Sequence, residues 1–237
     1  MRNFLLLLLP VVFSAAAASA QKVVDITDGD NNASYREQLS TFVGGTIFPL
    51  DKYIKIKEGS PYYVADWSAG SIVTESGKTY QNLQVKLDLL NHEIHYKDKD
   101  GNEMIVTVPI RELLLSPAGS ANRIFIPGKQ WADIDKKLAD SWLLVLVNDT
   151  VSLLCDIRKK VTEGQAYNSA TAEQTIEDKE VYFLQKNGRL NRIGRWSELQ
   201  ELLADKRKEV AKYIKDNDLR GNSQSEYAQV VTYYNTL

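Results

Sequence analysis

Leu83-Gln84-Val85-Lys86-Leu87-Asp88-Leu89 is the stretch that decides the fold. Leu83, Val85, Leu87 and Leu89 alternate with Gln84, Lys86 and Asp88. Successive side chains of an extended chain point to opposite faces, so this period describes a strand with one face on a core and the other toward water. Downstream, Glu93 to Lys97 reads as the next strand, and Asp98-Lys99-Asp100-Gly101-Asn102 turns it back into Met104 to Val108. Pro109 lacks an N–H and limits the ladder there. Upstream, Ser71-Ile72-Val73-Thr74 leads through Glu75-Ser76-Gly77-Lys78 into Thr79-Tyr80, with Gly77 suited to the positive φ of a tight hairpin.

The same signals recur. Trp142 to Val147 turns at Asn148-Asp149 into Val151 to Ile157, and Val181 to Gln185 turns at Asn187-Gly188 into Arg189 to Ile193. Tyr53 to Lys57 reads as a short strand, Leu113 to Gln130 as less regular, Trp131 to Ala139 as a short helix, and Glu163 to Ala172 as an exposed polar loop. The period then changes. Leu199, Leu202, Leu203, Val210, Tyr213 and Ile214 recur at helical spacing after the S-x-x-Q signature of Ser197 to Gln200. Ser223 starts a second helix, with Tyr227, Val230, Val231 and Tyr234 on one face. The predicted fold is mainly β (α+β): an antiparallel twisted meander or partly closed barrel with two C-terminal helices packed on it.

The first residues carry a different message. Met1-Arg2-Asn3, an apolar run from Phe4 to Phe13 and the small-residue end Ala18-Ser19-Ala20 have the layout of a secretory signal peptide. The expected organisation is a leader over 1–20, a polar lead-in over 21–59, an antiparallel β region over 60–196 and a helical pair over 197–237 on the same domain. The leader's apolar run is too short to span a bilayer, and no later stretch qualifies, so no membrane span is expected after cleavage. A formal net charge of −2 over 237 residues gives no electrostatic case for nucleic acid. Cys155 is the one cysteine, so no internal disulfide forms. Val151, Leu153, Cys155 and Ile157 share a face, which makes the thiol a buried hydrophobe.

The two histidines lie in His92-Glu93-Ile94-His95. The zinc signature H-E-x-x-H places two imidazoles on one helical face; here the second is one position early and the local pattern is a strand. The pattern sends His92 to the side of Ile94 and Tyr96, and His95 to the polar side with Glu93 and Lys97. No metal, cofactor or catalytic residue is therefore expected, and Asp98 to Glu103 reads as a hairpin turn rather than a calcium loop. Carboxylates such as Asp66 and Asp88 leave a hydrolase as the alternative. Tyr62, Tyr63, Trp67 and Tyr80 cluster around the first hairpin and are the candidate binding surface, since aromatic faces grip sugars and partner proteins.

Ser60-Pro61-Tyr62-Tyr63-Val64-Ala65-Asp66-Trp67-Ser68-Ala69-Gly70, the turn after it, the Leu83 to Leu89 strand and the closing Lys206 to Leu237 segment together resemble an uncharacterised family of exported Bacteroidota proteins. The resemblance runs from about Ser60 to Leu237 and rests on turn and core residues. It implies an exported protein of a Gram-negative envelope with no established activity; the periplasm is the expected location and the extracellular space the alternative. It also makes Asp149-Thr150-Val151 a match to that phylum's O-glycosylation pattern. The expected function is non-catalytic binding of an envelope protein or a glycan through the β-surface; the alternative is a carboxylate-based hydrolase of envelope or dietary polymers.

Overall fold

The computed structural model describes residues 23–25, 45–47, 56–165 and 172–237. The leader, Asp28 to Asn32, most of Tyr53 to Lys57 and the tip of the Glu163 to Ala172 loop lie outside these residues.

Thirteen strands join in one sheet among the described residues. In chain order they are β1 (Val23–Asp25), β2 (Gly45–Ile47), β3 (Ile56–Glu58), β4 (Ser68–Thr74), β5 (Thr79–Asp88), β6 (Glu93–Lys97), β7 (Glu103–Val106), β8 (Ile110–Ser116), β9 (Arg123–Pro127), β10 (Trp142–Val147), β11 (Ser152–Gln165), β12 (Ala172–Lys186) and β13 (Arg189–Ile193). The spatial order is β13-β12-β11-β10-β9-β8-β4-β5-β6-β7-β2, antiparallel at every step. β1 and β3 add parallel pairings to β5 and β12, which makes the sheet mixed. The end strands β13 and β2 do not pair, so the sheet stays open. The α+β meander expected from the alternation is the observed fold, and no described helix is long and apolar enough to cross a membrane.

Two local readings change. Leu113 to Gln130 is not irregular but the β8–β9 hairpin, in which Pro127 ends β9 opposite Trp142. β11 and β12 run on to Gln165 and back from Ala172, well past Ile157 and before Val181, so the two ends of the expected loop, Glu163 to Gln165 and Ala172, are paired strand. The Asn187-Gly188 turn sits between them and β13 with φ of 53° and 73°, the left-handed pair that a two-residue hairpin requires.

Three α-helices close the chain: α1 (Trp196–Leu202), α2 (Arg207–Asp216) and α3 (Gln224–Tyr234). The long helix expected from Ser197 is broken at Leu203 to Lys206, where a 3-10 turn intervenes. Ser197 is not its cap. The helix starts one residue earlier, and Glu198 reaches back to accept from the Gly194 N–H at 2.7 Å and from Arg195 Nε at 3.1 Å. Ser223 does cap α3, accepting from the Glu226 N–H, while Glu226 accepts from the N–H groups of Arg220, Gly221 and Asn222.

The main core lies between the sheet and these helices. Val85, Leu87, Leu113, Phe125, Leu144, Leu153, Cys155 and Leu184 meet Val230 and Val231 of α3. The Tyr182 and Tyr227 rings stack at 4.2 Å across that boundary. Asn235 clasps the β10–β11 turn, accepting from the Val151 N–H and donating to its carbonyl at 2.9 and 2.8 Å. A second cluster on the opposite face holds Leu138, Leu143, Leu154, Val181, Phe183 and Leu190. Burial on both faces is why Trp142 to Val147 is apolar without alternation. The short helix expected over Trp131 to Ala139 is two 3-10 turns, Lys129–Trp131 and Lys136–Ala139, and the second supplies Leu138 to this cluster.

Candidate functional site

The site grows from the far half of the sheet, where β5, β6 and β7 lie side by side. Their inward residues, including Val85, Leu87, Ile94 and Tyr96, belong to the main core. Their outward residues come into rows through the register: Asp88 faces Glu93, Lys86 faces His95, His95 faces Ile105, and Lys97 faces Glu103. Water would normally cover such a face. Here the Pro61 to Trp67 segment returns along the end of β5, in line with β4. The Tyr63 N–H donates to the Leu87 carbonyl and the Leu89 N–H to the Pro61 carbonyl, both at 2.9 Å, and Tyr62 bridges to Asp88. This strap places Tyr62 and Trp67 over the outward rows.

The bends of the strap and the position of Tyr80 in β5 split the four predicted aromatics. Tyr62 stands edge-on to the His95 ring at 5.6 Å. Trp67 takes the ammonium groups of Lys86 and Lys97 at 4.9 and 5.0 Å from its ring centre, and Lys86 also lies 4.8 Å from the Tyr62 ring. Tyr63 turns the other way and packs edge-on against Phe125 at 4.9 Å. Tyr80 is buried in the main core and belongs to no surface. Tyr62 and Trp67 thus share the outer face, with Tyr63 at its margin.

His95 is fully buried beneath this strap rather than solvated. It does lie on the same face as Glu93 and Lys97, as the alternation predicts. Its Nδ1–H donates to Glu103 Oε1 at 2.7 Å, because a carboxylate can only accept. Its Nε2 then points toward Glu93 Oε2, 3.5 Å away. Asp88, also fully buried, accepts from the N–H groups of Leu90 and Asn91 and from the Asn91 side chain at 2.8–2.9 Å. Asp88, Glu93 and His95 each offer a donor atom, and the three atoms lie within 4.8 Å of one another. Tyr62 feels this concentration of charge. Burial pushes its phenol up to about 12, and the carboxylates of Glu103, Asp88 and Glu93 add to the shift.

His92 is the correction. It is not in β6 beside Ile94 but in the preceding turn, exposed, with a φ of 61°, and its carbonyl accepts from Trp142 Nε1 at 3.1 Å. The two imidazoles are set apart by the departure of His92 from the strand rather than by opposite faces of it. Asp66 and Asp88, the carboxylates considered together, also lie apart in role. Asp88 is in the buried cluster, whereas exposed Asp66 lines a cleft at the far end of the strap.

That cleft, of about 220 Å³, runs between the strap and the β8–β9 turn. Tyr63, Trp67, Val64, Pro117 and Ala118 give it apolar walls, and Asp66, Ser68, Ser120 and Arg123 supply polar groups. Small-molecule sites commonly span roughly 300–1,000 Å³, so this one has room for a single ring rather than an extended ligand. The β8–β9 side of the cleft was invisible in the sequence because Pro117 and Gly119 masked the hairpin. Glu103 was likewise read as part of a turn; its cross-strand position beside Lys97 and His95 was the missing information.

Compared with models of protein families, with curated proteins and with solved structures, the chain matches none.

Proposed function

We propose that this protein is a non-catalytic, exported envelope protein that binds a glycan at the cleft beside Trp67. The supporting observation is the composition of that cleft: Trp67 and Tyr63 in its lining together with Asp66, Ser68, Ser120 and Arg123. A pyranose ring has an apolar face and a girdle of hydroxyls, and its recognition needs an aromatic platform beside a few fixed hydrogen-bonding groups. The leader-like residues 1–20 and the resemblance to exported Bacteroidota proteins support a periplasmic setting.

The test is saturation-transfer NMR and calorimetry against a panel of envelope and dietary glycans. Binding by the wild type, lost at least tenfold in Trp67→Ala and weakened in Arg123→Ala with unchanged circular dichroism, is the expected result. A stoichiometric protein partner with no glycan binding would replace the ligand class. Glycan binding untouched by both substitutions would overturn the site.

The hydrolase alternative has one observation in its favour, the convergence of Asp88, Glu93 and Glu103 around His95. Against it, the atoms of Asp88 already hold the Leu89 to His92 turn, a structural task. Glycan or peptide cleavage abolished by Glu93→Gln would favour this reading over simple binding.

A further inference from the structure

Arg123 lines the cleft with Trp67, half-buried at the start of β9 opposite Leu115. Two more cations reach the same indole. The ammonium groups of Lys86 and Lys97 lie over its ring, 4.9 and 5.0 Å from the centre. Among the described residues, none of the three makes an ion pair with a carboxylate. Glu103 is the cross-strand neighbour of Lys97, but it accepts from His95 Nδ1 at 2.7 Å instead. An aromatic ring steadies an ammonium without using up its N–H donors. Three cations of the described chain thus flank Trp67, and the cleft's lining adds one carboxylate, Asp66. The outer-face carboxylates Asp88, Glu93 and Glu103 gather at the other end, where their charge reaches the Tyr62 phenol.

We propose that the ligand of this cleft is an acidic sugar, a pyranose ring that carries a carboxylate, as in a uronic acid. This rests on the glycan reading of the cleft and names the class of glycan. Arg123 takes the ring's carboxylate, and Lys86 and Lys97 add their charge from the sheet side of Trp67. A guanidinium presents a planar fork of donors that matches a carboxylate in two parallel bonds. A neutral sugar leaves the three cations to repel one another around a partly desolvated ring. The remaining polar groups suit the rest of the pyranose. Ser68 and Ser120 can donate or accept, whereas ionised Asp66 can only accept and so takes ring hydroxyls.

Asp66 also separates this class from a bare anion. Sulfate gains from the cations, but it offers no O–H to Asp66 and no apolar face to Trp67 and Tyr63. The cleft's volume of about 220 Å³ admits one ring, so the charge that these residues read is on the bound ring itself.

The experiment is calorimetry with a galacturonate and a glucuronate trisaccharide, each beside its carboxyl-reduced neutral counterpart. At least one acid binds tighter than its counterpart by about tenfold or more, the scale of one charge-assisted pair. That preference falls as salt rises from about 50 to 500 mM, because ions screen charge and leave stacking alone. Arg123→Gln and the double variant Lys86→Gln/Lys97→Gln each reduce the acid-to-neutral ratio with unchanged circular dichroism. Lys212→Gln, which removes a charge on α2, leaves the ratio as it is. Equal affinity for acid and neutral forms, or a ratio unmoved by both sets of substitutions, overturns the acidic class and leaves the glycan site standing. Sodium sulfate competing as well as the sugar acid at equal concentration also overturns the class, since it identifies a general anion site. Failure of every sugar to bind, acid or neutral, overturns the glycan reading and this inference with it.

Discussion

Gly221→Ala tests how the helices dock on the sheet. Gly221 lies between α2 and α3 with a φ of +76°, and a Cβ there would meet Trp196 ring carbons at 2.5 Å. Comfortable carbon contacts lie at about 3.5–4.0 Å, so the indole must move by roughly 1 Å. It has little freedom. Trp196 packs edge-on against Tyr227 at 4.8 Å, and Tyr227 stacks on Tyr182 of β12. Two costs therefore add: about 1–2 kcal/mol for a left-handed alanine and about 1–3 kcal/mol for overpacking. Gly188→Ala is the matched control, since its φ is +73° with nothing within 4 Å of an added Cβ. It bears the first cost alone. Entropy removed from the unfolded chain by Gly→Ala is common to both and cancels in the comparison. Urea unfolding followed by tryptophan fluorescence and near-ultraviolet circular dichroism should place Gly221→Ala below Gly188→Ala by about 1–3 kcal/mol. For a chain of this size that difference lowers Tm by a further 2–4 °C or so per kcal/mol. If the two variants unfold together, the contact between Trp196 and the α2–α3 connection is not what orients the helices, and the reasoning fails.

Two further outcomes follow from the core and its margin. Burial, and then the charges of Glu180 and Asp156, push the Cys155 thiol well above its ordinary range, so a disulfide reagent at pH 8 should label it only as fast as the protein unfolds; rapid labelling under native conditions would contradict its place in the core. The Arg158 side chain, with help from the Lys137 N–H, holds the Asp135 carboxyl below the usual carboxylate range. Its folded value is depressed, so its stabilisation is present above the unfolded value of about 3.9 and is lost as pH falls through the folded one. Asp135→Asn should make the urea midpoint less sensitive to acid below about pH 4, and an unchanged acid slope would assign that sensitivity to other carboxylates.

Alternation and turn chemistry are local, and they made most of the strands legible. Leu83 to Leu89, Glu93 to Lys97 and the Asn187-Gly188 hairpin stand where their residues put them. The period change at the end located the helices, although Glu198 rather than Ser197 set the first boundary. Where punctuation conflicted with pattern, as at Pro117, Gly119 and Pro127, the β8–β9 hairpin was hidden. Half of the candidate site was legible in the same sense: Tyr62 and Trp67 could be singled out as residues, but not their separation from Tyr63 and Tyr80.

By itself, the order of residues determined that a sheet forms, which face of each strand is apolar, and that His95 shares a face with Glu93. Only the tertiary structure decided that this outer face is covered. A strap more than twenty residues upstream returns along β5, and cross-strand register brings Glu103 behind His95 and Asp88 beside Glu93. The strap is held by hydrogen-bond pairing with a segment far along the chain, and the two hairpin neighbours by the exact register of their strands; neither leaves a periodic trace in the chain. A histidine that alternation places on the polar side of its strand thereby becomes the buried centre of three carboxylates.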